Sequence, residues 1–185
     1  MAWTAPMTAT LNQTFTAAQW NTHVRDNFNM TEAGKATTRG RLFVTTGANT
    51  VAEAQTYRGD NAASQSTTST SYTSLAGAGP AVGTSVVGTT ALVFWTVAMG
   101  NETATLSNFV SVAVSGASTV SASDEWAIST DGVNAAATST DNLTRMAGFY
   151  RFTGLTPGWN IFTMQYKVSG GRGWFSNRNI MAMAL

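Results

Sequence analysis

The sequence predicts a mainly β protein: an antiparallel, jelly-roll-like β-sandwich head preceded by an extended arm and one short helix. Three observations carry this prediction. Apolar and polar residues alternate with period two in several later segments, as in "FVSVAVS" at 109–115. Turn signals separate such segments at a spacing of roughly eight to twelve residues. Charged residues make up only 10% of the chain, against an ordinary share of about a quarter. Such a surface must be covered by Ser, Thr, Asn and Gly, or by other chains.

Residues 1–30 predict an arm and an attachment helix. Trp3, Pro6, Met7 and Leu11 lie among Thr and Ala with no period, which suits an arm that orders by docking. The helix is expected over 16–30. Thr16 and Gln19 match a capping box, and Phe15 is placed to staple onto Trp20. Trp20, Val24 and Phe28 recur every fourth residue and form one narrow apolar stripe. Asn21, His23, Arg25, Asp26 and Asn27 lie off it, and adjacent Arg25 and Asp26 are expected to make separate contacts. A short lone helix is marginal in water. The stripe therefore needs a partner: the domain, symmetry-related copies or a host particle.

Residues 31–60 read as a connector with a short strand at 42–46 and a turn at "TGAN" (47–50). The head is expected over 61–185. Its first part, 61–90, is low in complexity and reads either as a linker or as β-structure around Tyr72, Leu75, Val82, Val86 and Val87, with Gly79 and Pro80 marking a turn. "ALVFWTVAM" (91–99) is apolar on both faces, as a covered central strand would be. A strand at 109–115 follows, then a shorter one at 124–129 with a turn at Asp131 and Gly132. Strands at 145–153 and 159–169 flank "GLTPG". In the second of these Phe162, Met164, Tyr166 and Val168 share one face, with Asn160, Thr163, Gln165 and Lys167 as polar relief. "GGRG" (170–173) turns the chain into a last strand at 174–185.

Composition narrows the function. A core is affordable with 43% apolar residues, and six Trp with nine Phe do not suit a disordered chain. A net charge of +1 predicts no general affinity for nucleic acid. Over 61–144 there is no Lys or Arg, while Glu102, Asp124, Glu125, Asp131 and Asp141 are acidic. From Arg145 onward there are only bases. These opposite signs meet inside the domain, meet across a subunit interface, or are simply scattered on loops. The chain has no cysteine, which excludes thiolate metal sites. "MAWTAPMTATLNQ" lacks the basic and apolar regions of a signal peptide, and no window reaches the length of a membrane span, so a soluble chain without membrane insertion is expected.

No catalytic, cofactor or metal residues are assigned. His23 is the only histidine, and no second ligand or nucleophile elbow accompanies it. It reads as an interface residue. Asp124 and Glu125 are neighbours in an expected strand and face opposite ways, which spoils a glycosidase pair. "RGD" at 58–60 reads as a chance tripeptide in a turn. The sequons at Asn12, Asn29, Asn101 and Asn142 are expected by chance in a Thr-rich chain. Trp95 and Trp126 are expected in the core. Trp159 and Trp174 stand beside turns and are candidates for stacking on a sugar ring.

The ends of the chain resemble small virion structural proteins of tailed bacteriophages, especially those of actinobacterial hosts. The resemblance lies in "AWTAP…TFTAAQWNTHVRDN" (2–27) and in "GLTPGWNIFTMQYKVSGGRGWFSNRNIMAMAL" (154–185), which is similar to the terminal hairpin of those proteins. It implies a multi-copy virion component: a fibre, a minor tail protein or a capsid decoration protein. It also implies a homotrimer, anchored to other virion proteins by its N-terminus, with the head outward for host-surface adhesion. Assembly in the bacterial cytoplasm into the virion follows. Trp3, Pro6, Trp20, His23, Val24, Arg25, Asp26 and Phe28 would then be the virion and oligomer interface. The rival from another class is a glycan-binding lectin or a glycan-active enzyme.

Overall fold

The computed structural model describes residues 4–5, 7–8, 11–29, 37–39, 41–47, 50–77, 79–130 and 136–185. The chain divides into two compact units, Met1–Gln55 and Thr56–Leu185. The boundary thus falls at 55/56, where the sequence had placed it at 60/61. The reason is that the last residues of the expected connector form a strand of the head.

In the first unit a helical run is built from an α-helical turn, Ala17–Trp20, a π-helical turn, Asn21–Arg25, and a second α-helical turn, Asp26–Asn29. The capping box forms as expected: Thr16 Oγ1 accepts from Gln19 N at 3.2 Å, and Thr16 N donates to Gln19 Oε1 at 3.0 Å. Phe15 meets Trp20 edge to face, with ring centroids 5.9 Å apart. Strands β1 (Leu42–Gly47) and β2 (Thr50–Ala54) form an antiparallel hairpin. The Glu53 carboxylate accepts from the backbone and hydroxyl of Thr37 and from Thr38 N. These bonds favour the ionised form and hold its carboxyl below the usual range.

The second unit holds β3 (Thr56–Asn61), β4 (Gln65–Thr67), β5 (Ala81–Val86), β6 (Ala91–Asn101), β7 (Asn108–Gly116), β8 (Ile128–Ser129), β9 (Thr144–Phe152), β10 (Gly158–Val168) and β11 (Gly173–Ala184). They form two antiparallel sheets, in the orders β5-β10-β7-β8 and β3-β11-β6-β9, with β4 also on β11. Setting short β4 aside, the main strands in chain order alternate between the sheets as a jelly roll requires. Only β7 and β8 are successive main strands within one sheet.

That winding corrects the expectation of a terminal hairpin. β10 pairs with β5 and β7, while β11 pairs with β3, β4 and β6. "GGRG" therefore carries the chain from one sheet to the other. Both strands have an apolar alternate face, and those faces meet across the sandwich: Tyr166 and Phe175 lie 4.9 Å apart by ring centroids. Phe152 of β9 and Phe162 of β10 make a second bridge between the sheets at 5.7 Å. Phe162, Met164, Tyr166 and Val168 are all buried, as their shared face predicted, as are Val93, Trp95, Val97 and Met99 opposite.

Three further expectations change. Residues 124–129 form a 3-10 turn, Asp124–Trp126, capped by the Ser123 side chain, and only Ile128–Ser129 extends as β8. The Asp131 and Gly132 turn lies outside the described residues. Of the two readings left open for 61–90, linker or β-structure, the described residues favour the second, holding β4 and β5. Asn160 is buried and gives no surface relief: its side chain accepts from Ser118 N at 2.9 Å and donates to the carbonyls of Thr156 and Gly158, each at 3.1 Å. It shares the inward parity of Phe162, so it serves loop backbone that no strand can satisfy. "RGD" lies within β3 and is extended rather than a turn.

One charge is sealed in this head. Arg178 is fully buried on β11, where the register with β6 shifts between Ser176 and Asn179. Its guanidinium donates to Gly79 O at 3.1 Å, Ala63 O at 3.2 Å and Gln65 Oε1 at 2.7 Å, and lies 5.6 Å from the Tyr166 ring. Arg178→Ala leaves these buried acceptors orphaned. Urea unfolding should show a loss of about 3–5 kcal/mol, the range for breaking a buried charged network.

Candidate functional site

The expected interface residues fall in the first unit, where Asn27 joins the helix to the described part of the arm. This buried side chain accepts from Thr4 N at 3.0 Å and donates to Thr4 O at 2.8 Å and to His23 O at 3.1 Å. An amide with one donor group and one acceptor group pairs with a single residue's backbone as a strand would. His23 Nδ1 donates to Ala5 O at 3.2 Å. The polar side of the helix therefore binds the arm, and His23 acts as a clasp.

Arg25 and Asp26 do not make separate contacts. Arg25 Nε donates to Asp26 Oδ1 at 2.8 Å and Nη2 approaches the same oxygen at 2.7 Å. The long guanidinium stem reaches round the helix to its neighbour. Trp20, Val24 and Phe28 are 54%, 38% and 69% exposed, and Trp20 packs edge to face on Phe15. Trp3 and Pro6 lie outside the described residues.

The two candidate sugar platforms are separated. Trp159 is on the outer side of the β10 sheet and Trp174 on that of the β11 sheet, so they cannot form one site. Trp159 is 54% exposed. A Cβ on Gly83 would stand 2.5 Å from its ring, so the indole lies across this glycine with its other side open. That is the geometry of a stacking platform. Trp174 is half-buried, with the Arg172 guanidinium 6.0 Å over its ring.

Asp124 is engaged by a lysine and a tyrosine and not by a second acid. Asp124 accepts from Lys167 Nζ at 2.7 Å and from the Tyr72 hydroxyl at 2.7 Å. The Lys167 ammonium also lies 4.9 Å from the Tyr72 ring and 4.8 Å from that of Phe109. The hydrogen bonds from Lys167 and then Tyr72 hold the Asp124 carboxyl below its usual range. Burial and the same carboxylate push the Tyr72 hydroxyl up. Among the described residues no cluster of His, Asp or Glu suits a metal ion, and no helix is long and apolar enough to cross a membrane.

Sequence reasoning missed the outer face of β6. Its second apolar side was expected to be covered, yet Phe94 is open, with Phe149 of β9 beside it. The available signal was Phe149 itself, which shares a parity with Arg145 and Arg151 rather than with the core residues of β9.

Two outcomes follow. Asn27→Ala should speed amide exchange at Thr4 by roughly tenfold or more, since one to two hydrogen bonds of about 1 kcal/mol each are lost, and leave the head's exchange unchanged. Asp124 has a depressed carboxyl pKa in the folded chain. Its contribution is therefore present above the unfolded value near ~3.9 and is lost as pH falls through the lower folded value. The stability gap between wild type and Asp124→Asn should be below about 1 kcal/mol near neutrality, because the pair is exposed, and should close on acidification. Thermal melts from pH 6 down to pH 2 measure it, and a gap independent of pH would contradict the assignment.

No family model matches the chain, and no curated protein matches it. Among solved structures, the infectious bursal disease virus VP2 subviral particle is similar at 12% identity and a TM-score of 0.49, over 76% of this chain and 37% of that one. The structure of the Gx strain of the same virus is similar at 10% identity and a TM-score of 0.48, over 72% of this chain and 34% of that one. The chain thus spans little more than a third of those viral chains, and a likeness at that level carries no argument about its role.

Proposed function

We propose that this chain is a non-enzymatic structural component of a virion: a fibre or minor tail protein, anchored by its N-terminal unit and exposing its β head for host-surface adhesion. The observation that carries the reading is the exposed Trp20, Val24 and Phe28 stripe, on a helix whose opposite polar side is already engaged with the arm. A short helix with such a stripe gains stability from a partner surface. The resemblance at 2–27 and 154–185 supplies the kind of partner, other virion proteins, and the homotrimeric state. The chain's few charges suit a subunit that packs among others. No nucleic acid partner and no membrane insertion are proposed, and the chain would assemble into virions in the bacterial cytoplasm.

A capsid decoration protein or head fibre is the second reading, favoured by the same features. Copy number per particle separates the two: few copies for a tail, many for a capsid. A lectin role is favoured by one observation, the open side of Trp159 over Gly83. A glycan array with wild type and Trp159→Ala would report it.

Attachment is tested in particles. A chain lacking residues 1–30, and a full chain carrying Trp20→Ser with Val24→Ser, should both be missing from purified virions by quantitative mass spectrometry. Normal incorporation of either would sink the attachment reading.

A further inference from the structure

On the β3-β11-β6-β9 sheet, pairing register sets Ser176 of β11, Ala98 of β6 and Arg145 of β9 in one row across the strands. Ala98 and Ser176 are small and buried, while Arg145 is exposed. Two loops wall this row: residues 62–64, between β3 and β4, and residues 136–143, before β9. The Ser64 hydroxyl donates to Ser139 O at 2.6 Å and ties the walls together. Between them lies a depression of about 530 Å³.

The sequence shapes this depression at two places. A Cβ on Gly100 would stand 2.6 Å from Ala137 Cβ and 3.0 Å from Asn142 O, so a glycine there lets the second loop lie down on β6. Ala137 N donates to Asn101 O at 2.7 Å and Asn142 Nδ2 to Ala136 O at 3.0 Å, which fix that loop. On β11 the register shift between Ser176 and Asn179 brings two successive residues, Ser176 and Asn177, to the depression. A bulge re-aims side chains in this way. Asn177 has a φ of 48°, a left-handed conformation that asparagine tolerates better than most residues.

The lining combines three kinds of group. Arg145 supplies one cation. Ser64, Ser139, Thr140, Ser176 and Asn177 supply hydroxyls and an amide, and Ala62, Ala98 and Leu143 supply apolar surface. Among the described residues Arg145 has no ion-pair partner, and the side chains of Thr140, Ser176 and Asn177 make no hydrogen bond. Asp141, the acid of the second loop, is not part of the lining; its carboxylate accepts from the Thr138 hydroxyl at 3.4 Å.

We infer that this depression is a binding site for an acidic sugar of the uronic acid class. A guanidinium matches a planar carboxylate with two parallel N–H···O bonds. The free hydroxyls and amide both donate and accept, as sugar hydroxyls require. Ala98 and Leu143 offer apolar surface to the C–H side of a pyranose ring, and the volume lies within the ~300–1,000 Å³ of small-molecule sites. A bare phosphate would use the guanidinium and leave the apolar floor and the hydroxyl walls without a role. The site belongs to the sheet opposite that of Trp159 and is separate from that platform. The inference deepens the adhesion reading by naming a ligand class, and rests on it for the presentation of the head to a host surface.

Titration of the isotope-labelled full chain with glucuronic acid, glucose and inorganic phosphate, followed by amide shifts, tests it. Glucuronic acid should give saturable shifts at Thr140, Ser176 and Asn177. Glucose and phosphate should each bind roughly tenfold more weakly or worse, since each lacks one part of the match. Arg145→Gln should weaken glucuronic acid binding roughly tenfold or more, the scale of a lost hydrogen bond to a charged group. Asn177→Gly keeps the left-handed backbone, removes only the amide, and should weaken binding about fivefold. The inference is overturned if glucuronic acid gives no saturable shifts, if the shifts centre on Trp159, if glucose or phosphate binds as tightly, or if both variants bind as the wild type does. Binding is read on the isolated chain, without particles. Failure here therefore leaves N-terminal attachment standing, and failure of attachment leaves this site standing.

Discussion

A guanidinium enclosed in a β-sandwich must be surrounded by oxygen, because water is not there to solvate it. Arg178 meets that demand at its two terminal nitrogens, with acceptors from Ala63 before β4, Gln65 at the start of β4 and Gly79 before β5, while its Nε has no hydrogen-bond partner among the described residues. These stretches are rich in Ser, Thr, Ala and Gly and have little apolar surface of their own. Tethered to one buried cation, they follow β11 and enter the opposite sheet at a fixed place. Tyr166 links the same point to the core: its hydroxyl donates to Gly79 O at 3.4 Å, and its ring packs on Phe175. The strand order on that side of the head depends on this cluster.

Polar side chains do comparable work at the ends of the sandwich. Asn101 donates to Asn108 Oδ1 and Gly170 O, each at 3.0 Å, and accepts from Thr103 N at 3.0 Å. Asn160 does the same for the corner before β10. A jelly roll has many crossings between sheets, and each crossing strands backbone groups that no ladder can pair. Buried asparagines supply a donor and an acceptor together, which suits irregular backbone better than a charge would. At these crossings amides and hydroxyls take the place of ions, in keeping with the low charge content of the chain; Trp95 Nε1 and Arg178 Nε are left buried without a hydrogen-bond partner among the described residues.

The two units present different kinds of surface. In the first, hydrogen bonds from Asn27 and His23 hold the arm against the polar side of a helix, leaving aromatic residues outward. In the second, one outer face carries the Phe94 and Phe149 stack, and the other carries exposed Trp159 and the Lys167–Asp124 pair beside Tyr72 and Phe109. Neither pattern serves a lone soluble domain, which seldom exposes stacked phenylalanines.

The sequence by itself determined most of the longer strands, the helix start and the buried side of β10. Period-two alternation located β7 and β10, the turn signals "GLTPG" and "GGRG" bounded β9 and β11, and the capping box at Thr16 and Gln19 located the helix start, because these signals are local. It also determined that the chain lacks the cysteines and paired histidines of common metal sites. Tertiary structure alone decided which strands pair. "GGRG" is a sound turn signal, but a turn has the same local form whether it joins neighbours in a sheet or crosses a sandwich. It alone decided that Asn160 faces inward and that the second apolar side of β6 stays open. Burial is a property of what lies across from a residue, and that partner comes from distant sequence. The candidate site was legible in the same proportion: the helix stripe could be read from spacing, while the Phe94 and Phe149 row exists only through the register of β6 with β9.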